Sequence, residues 1–295
     1  PNGISHVHYI AEYQPGILLI GSDDGLAYFD TKTGKAEVMT ATELKNSSLS
    51  NKFIYPIYKD REGGVWVGTY YGGVNYAAPI KGMINGYTHS DYSNSVGGNI
   101  ISCFCEDPDG NIWIGSDDGG LSYFNTQNKT FRNYLPDPSR NSLSYHNIHA
   151  LFLDNDNLWI GTYSGNLNIL NTRTGKFTQY PAGLSDKIPA DMSSVYSIYK
   201  DKQSNIWLGT MQNIIRYDRK NDSFINAKET GTTTSCILQD TDDNIWFATL
   251  GKGLYCFKPG QEEWKQYTFS PDDKNTLSTN QINSLCLLHL IHISH

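Results

Sequence analysis

Leu49-Ser-Asn-Lys-Phe-Ile-Tyr-Pro-Ile-Tyr-Lys-Asp-Arg-Glu-Gly-Gly-Val-Trp-Val-Gly-Thr-Tyr-Tyr-Gly-Gly-Val-Asn-Tyr76 decides the fold of this chain. Residues 53–58 put apolar side chains on both faces of an extended segment, as a strand does when other sheets cover both of its sides. Asp60-Arg-Glu-Gly63 then supplies the carboxylate and the glycine that a tight hairpin needs for side-chain-to-backbone bonds and positive φ. Val65-Trp66-Val67-Gly68-Thr69 reads as a second strand, and Tyr71-Gly72-Gly73 turns the chain into a third.

The same unit recurs. Ile112-Trp113-Ile114-Gly115-Ser116, Leu158-Trp159-Ile160-Gly161-Thr162 and Ile206-Trp207-Leu208-Gly209-Thr210 repeat the Trp motif. Leu18-Leu19-Ile20-Gly21-Ser22 lacks the Trp, and Ile245-Trp246-Phe247-Ala248-Thr249 lacks the Gly. From Gly21 through Gly68, Gly115, Gly161 and Gly209 to Ala248 the spacings are 47, 47, 46, 48 and 39 residues. Units of this length, built from short apolar runs without amphipathic stretches of helical length, match four-stranded propeller blades. Turns at Asp107-Pro-Asp-Gly110, Asp154-Asn-Asp-Asn157, Asp201-Lys-Gln-Ser204 and Asp240-Thr-Asp-Asp243 precede the later Trp strands. A further turn, such as Asn125-Thr-Gln-Asn128, leads to an outer strand at 131–134 or 177–180.

The expectation is an all-β propeller of six complete W-x-G units plus the first strand of a seventh, a fragment of a seven-bladed propeller. Its blades cover about 4–39, 49–90, 99–135, 143–181, 192–227 and 233–270, with a partial one at 277–286, in a single domain over 1–286. Leu277-Ser-Thr-Asn-Gln-Ile-Asn-Ser-Leu285 copies the opening of earlier units, yet no turn aspartate or Trp motif follows. Residues 287–295 fit no repeat and read as a truncation or an added tail; a metal site at His289, His292 and His295 is disfavoured.

Aligned on the turn aspartate, the inner strands show two columns. Four residues before it stand Tyr9, Pro56, Cys103, Ala150, Ser197 and Cys236, mostly small, as where inner strands crowd toward an axis. Five before it stand His8, Tyr55, Ser102, His149, Tyr196 and Ser235, all able to hydrogen-bond and expected to line a polar channel.

Composition closes off other classes. The 295 residues carry 23 Lys and Arg against 30 Asp and Glu, a net charge of −7 with no basic run, so nucleic acid is not an expected partner. Five cysteines without C-x-x-C spacing read as small core residues, not as a zinc or disulfide framework. No apolar stretch reaches the roughly 18 residues of a membrane span, and no leader pattern opens the chain. The loops at Asp107 and Asp154 lack the glutamate that closes a calcium loop. No metal or cofactor is expected.

These units resemble the two-component regulator propeller repeats of the sensor region of Bacteroidetes hybrid two-component histidine kinases, over about residues 4–270. The spacing Asp107-x-x-Gly110-x-x-Trp113 also resembles the Asp-box turn of sialidases, which is structural there. The first resemblance implies a periplasmic, non-catalytic sensor that responds to glycan breakdown products and controls polysaccharide utilisation genes. It implies that the membrane helix, kinase core and DNA-binding output lie in segments this chain does not contain.

Loops joining second to third strands and outer to next inner strands share one face of a propeller blade. They bring Asp23, Asp24, Tyr70, Tyr71, Asp117, Asp118 and Tyr163 together with Asn51, Lys52 and His146 as candidate ligand-binding residues. Rings for the C–H faces of a sugar and carboxylates and amides for its hydroxyls suit an oligosaccharide. The same residues also fit hairpin caps and inter-blade packing. A propeller glycosidase or lyase would need a carboxylate pair from Asp23, Asp24, Asp117 and Asp118. Repeat-equivalent positions and six arginines, none in these hairpins, disfavour it. A protein-binding scaffold is the other alternative, and open blade edges favour homodimerisation or other self-association.

Overall fold

The computed structural model describes residues 4–39, 49–79, 84–91, 94–261 and 263–288. Contacts group the chain into two compact units, Pro1–Leu135 with Cys286–His295, and Pro136–Leu285. Each holds three four-stranded antiparallel blades, so the chain carries the six propeller blades that the repeats predict.

In the first unit the blades are β1 (Val7–Gln14), β2 (Ile17–Ser22), β3 (Gly25–Asp30) and β4 (Ala36–Met39); β5 (Ile54–Lys59), β6 (Val65–Thr69), β7 (Val74–Ala77) and β8 (Ile84–Tyr87); and β9 (Ile101–Glu106), β10 (Ile112–Ser116), β11 (Leu121–Asn125) and β12 (Thr130–Tyr134). In the second they are β13 (Ile148–Asp154), β14 (Asn157–Thr162), β15 (Leu167–Asn171) and β16 (Lys176–Tyr180); β17 (Val195–Lys200), β18 (Ile206–Thr210), β19 (Asn213–Asp218) and β20 (Ser223–Glu229); and β21 (Thr234–Gln239), β22 (Ile245–Thr249), β23 (Leu254–Lys258) and β24 (Glu263–Tyr267).

In blades 2, 5 and 6 the recurrent Asp and Trp are one device, whereas in blade 3 Asp107 takes the Tyr123 hydroxyl at 2.8 Å and the Trp113 indole N–H is left without a partner among the described residues. Asp60 takes the backbone N–H of Gly64 on Oδ1 at 2.6 Å and the indole N–H of Trp66 on Oδ2 at 2.9 Å. Asp201 does the same for Asn205 and Trp207 at 2.7 and 2.8 Å, and Asp240 for Asn244 and Trp246 at 2.9 and 2.7 Å. One carboxylate thus closes the hairpin and lets an indole be buried without an orphaned donor. The buried faces of blades 2 and 5 then pack on the next blade of their own unit: Trp66 joins Ile101, Ile112 and Phe124, and Trp207 joins Ile237, Phe247 and Phe257.

The motif glycine answers the same geometry. A Cβ at Gly68 would lie 2.6 Å from Pro56 Cγ and 2.7 Å from Ile101 Cγ2, and one at Gly161 would lie 2.6 Å from the Val195 carbonyl. The inner strand of the following blade crosses so closely that only hydrogen fits.

Blade 1 breaks the device at both positions together. Leu19 stands where the Trp would be, and Tyr13, six residues earlier, stands where the Asp would be. Tyr13 turns its ring edge to Tyr28, the cross-strand neighbour of Leu19, at 5.9 Å. A cavity of about 200 Å³ remains, lined by Tyr13, Leu26, Tyr28, Val65, Val67 and Ala77 among others. Tyr13→Asp with Leu19→Trp is expected to raise the unfolding free energy by about 1 kcal/mol, and Leu19→Trp alone by less, because its N–H finds no acceptor. Urea denaturation in a double-mutant cycle measures this coupling, and strictly additive effects would refute it.

The expected first strand of a seventh blade does not form. Residues 277–286 carry only two isolated bridges, Phe269↔Leu277 and Leu250↔Gln281, and Ile282 donates its N–H to Thr249 at 2.9 Å. An inner strand is stabilised by pairing along the Trp strand of its own blade, and no Trp motif follows here. The histidines at 289, 292 and 295 lie outside the described residues. Burial pushes the Cys103 thiol up to about 12.

Candidate functional site: a stacked ring run at the bulges of the inner strands

Every inner strand is irregular at the same point. The register of β1 against β2 jumps between Val7 and Tyr9, that of β5 between Ile54 and Ile57, and that of β9 between Ile101 and Cys103. In the second unit the jumps fall between Ile148 and Ala150, Val195 and Ser197, and Thr234 and Cys236. The residues at these bulges are His8, Tyr55, Ser102, His149, Tyr196 and Ser235, the hydrogen-bonding column of the sequence. A bulge takes one residue out of the ladder and re-aims its side chain, a feature concentrated beside functional sites.

The second-to-third-strand loops bring a second column to this point. In blades 2, 3, 4 and 6 the residue after the motif Thr or Ser donates its N–H to the loop that opens its own inner strand. Tyr70 bonds the Phe53 carbonyl at 3.0 Å, Asp117 that of Ile100 at 2.9 Å and Tyr163 that of Asn147 at 3.0 Å.

In the first unit the two columns merge into one aromatic run. His8 stacks on Tyr55 with centroids 4.2 Å apart and planes at 11°, Tyr55 stacks on Tyr70 at 5.3 Å, and Tyr70 meets Tyr71 edge-on at 4.4 Å. Tyr71 is 65% exposed, so the run opens to solvent at that end. Asp23 holds the His8 end, with Oδ1 2.7 Å from His8 Nε2 and Oδ2 3.3 Å from His6 Nδ1. Asp117 bears on the middle. Burial, then the charge of Asp118, pushes its carboxyl up to about 6. Burial, then Asp23 and Asp117, raises the Tyr55 hydroxyl in turn.

The other candidates divide by what already occupies them. Asp24 accepts from the backbone N–H and hydroxyl of Ser5 at 2.7 and 2.5 Å, and these bonds hold its carboxyl below the usual range. Asp118 accepts from the backbone of Asn99 and Ile100 at 3.1 Å each, and Asn51 from that of Phe53 at 3.0 Å. These three side chains cap loops. Lys52 lays its ammonium over the Phe53 ring at 4.8 Å. In the second unit His149 stacks on Tyr196 at 4.5 Å and meets Tyr163 edge-on at 6.2 Å, while His146 stacks on Tyr145 at 4.6 Å. Burial brings His149 down to about 4, so this ring is neutral at physiological pH. The sequence places His8 and Tyr55 only in the polar column; their recurrence as His149 and Tyr196 is the signal that marks them.

Four stretches of the chain, residues 48–71, 95–118, 142–164 and 191–212, match the family described as two component regulator propeller. The chain carries repeats of that family in these four stretches. Each matched stretch runs from the loop before an inner strand to the Trp strand and the residues just after it, and so carries the bulge; the first and the fourth also carry the Asp–Trp bond. No curated protein matches the chain. Among solved structures it is similar to the extracellular domain assigned to the hybrid two component system BT3049 from B. thetaiotaomicron, at 20% identity and a TM-score of 0.82. That match covers 94% of this chain and 36% of the other. The extracellular domain assigned to the one component system BT4673 of the same organism gives 17% identity and 0.74, over 96% of this chain and 36% of that one. PorZ, a surface component of the type-IX secretion system of Porphyromonas gingivalis, gives 17% and 0.69, over 96% and 44%. At these identities the shared property is the propeller fold, and the chain spans about a third of the length of the first two. Among the described residues no helix is long and apolar enough to cross a membrane.

Proposed function

We propose that this chain is the ligand-binding propeller of a periplasmic sensor region in a hybrid two-component histidine kinase, and that its ligand is an oligosaccharide released from a glycan. It binds and does not catalyse; phosphoryl transfer and control of polysaccharide utilisation genes belong to segments beyond it. The observation that carries this reading is the run His8–Tyr55–Tyr70–Tyr71, open to solvent at Tyr71 and flanked by Asp23 and Asp117, in a propeller with repeats of the regulator family. A pyranose ring offers apolar C–H faces to such rings and hydroxyls to such carboxylates. The sensor acts as a homodimer in which ligand contacts change the packing between protomers.

Titration calorimetry against a panel of oligosaccharides tests the reading. Saturable binding is expected, weakened about tenfold by Tyr70→Ala, the loss of one stacked ring, and also weakened by Asp117→Ala. Absence of binding across the panel, or binding indifferent to both substitutions, would remove the site.

A further inference from the structure

Rings fill the interface between blades 2 and 3. Phe124, paired with Ile112 across its hairpin, has Trp66, Tyr87 and Phe131 around it, with centroids 5.6, 5.0 and 4.6 Å away. Phe257, at the same register position in blade 6, meets Trp207 and Trp264 at 5.4 and 4.8 Å. Between blades 1 and 2 each of these rings is replaced by a smaller or thinner side chain. Ala77, paired with Val65, stands at the position of Phe124. Register puts Leu19 at that of Trp66, Met39 at that of Tyr87 and Ile84 at that of Phe131. These four pack into one cluster with Val65 and Val67, as the four rings pack with Ile112 and Ile114.

The cavity of about 200 Å³ between these two blades lies where the rings would be, since Ala77, Met39 and Ile84 all line it. Among the described residues no charged side chain lines it. The Asn75 amide is bonded to Ser50 at both ends, accepting from the backbone N–H on Oδ1 at 2.9 Å and donating from Nδ2 to the hydroxyl at 2.8 Å. A cavity of about 150 Å³ walled by aliphatic and ring side chains takes benzene, so this one has room for a second fused ring. A ring is favoured over an aliphatic chain, because the Met39 thioether and the Tyr28 ring both gain from contact with ring edges. A charged group would lose its water there and meet no counter-charge. We propose that the interface of blades 1 and 2 is a second ligand site, taking an uncharged aromatic molecule of one or two fused rings in the place that Phe124 fills one blade further on. Among the described residues this site shares none with the ring run, and it goes beyond the oligosaccharide reading. Because such a ligand binds only when the two blades are packed, its occupancy stabilises the first unit.

Titration calorimetry of the full chain at pH 7 tests this with indole and with indole-3-carboxylate, a charged probe of the same ring system. Saturable one-to-one binding of indole is expected, with the carboxylate at least about tenfold weaker. Ala77→Phe restores the ring from within the chain; it should melt no lower than the parent and weaken indole binding at least about tenfold. Should this variant not fold, Ile84→Phe takes its place with the same expectation. Absence of indole binding, equal binding of the carboxylate, or undiminished binding by a folded ring-restoring variant would overturn the site. None of these outcomes touches the oligosaccharide reading, which stands on other residues and other probes.

Discussion

Trp207→Ala is expected to lower the unfolding free energy by about 4 kcal/mol, the middle of the range for truncating a fully buried indole. Trp207 is 1% exposed and packs against Phe247, Phe257 and Trp264 with centroids 5.4, 5.4 and 6.5 Å away. Its removal opens a void between two blades and leaves Oδ2 of Asp201 with one donor fewer. Trp207→Phe separates these costs, because it keeps much of the packing and loses the hydrogen bond; about half the effect is expected. Urea denaturation followed by far-UV circular dichroism measures both. A loss under 1 kcal/mol for the alanine variant would show that the indole does not hold the blades together.

Asp154→Ala is expected to cost about 3 kcal/mol at pH 7, the low end for removing one member of a buried ion pair. The Asp154 side chain is 6% exposed and takes Lys200 Nζ and an Arg219 guanidinium N–H, each at 2.7 Å, from the neighbouring blade. Both cations reach water, which limits the cost of losing their partner. Burial alone would push this carboxyl up; the hydrogen bonds and charges of Lys200 and Arg219 outweigh it and hold the group below its ordinary value. A depressed folded pKa contributes stability that is fully present above the unfolded value near 4 and is lost as pH falls through the folded one. The gap between the parent and Asp154→Ala should therefore be widest at neutral pH and close progressively below pH 4. A gap independent of pH would mean that the loss is one of packing.

Asp154 also shows where reading the sequence stops. Its turn is one residue shorter than the others, with Trp159 five residues on instead of six, and nothing in that spacing reveals partners 46 and 65 residues away. The candidate site behaves alike. Tyr70 meets Tyr71, and Asp23 and Asp117 both bear on Tyr55. Asp24, Asp118 and Asn51 sit beside them in sequence, but nearby backbone N–H groups claim their oxygens, as unpaired donors in short loops claim any short polar side chain.

The repeat, the six blades, the order of strands and the positions of turns are legible in the residues alone. These are local: period-two apolar runs, Gly and Asp at hairpins and a Trp at regular spacing need no knowledge of what packs across from them. Folding is what puts the hydrogen-bonding column on β-bulges, stacks His8 on Tyr55 and His149 on Tyr196, and bridges the last repeat-like segment to blade 6 instead of opening a strand. Each of those outcomes depends on contacts between segments far apart in the chain, 47 residues for either stacked pair. A bulge is a mismatch between two strands, so neither strand alone encodes it.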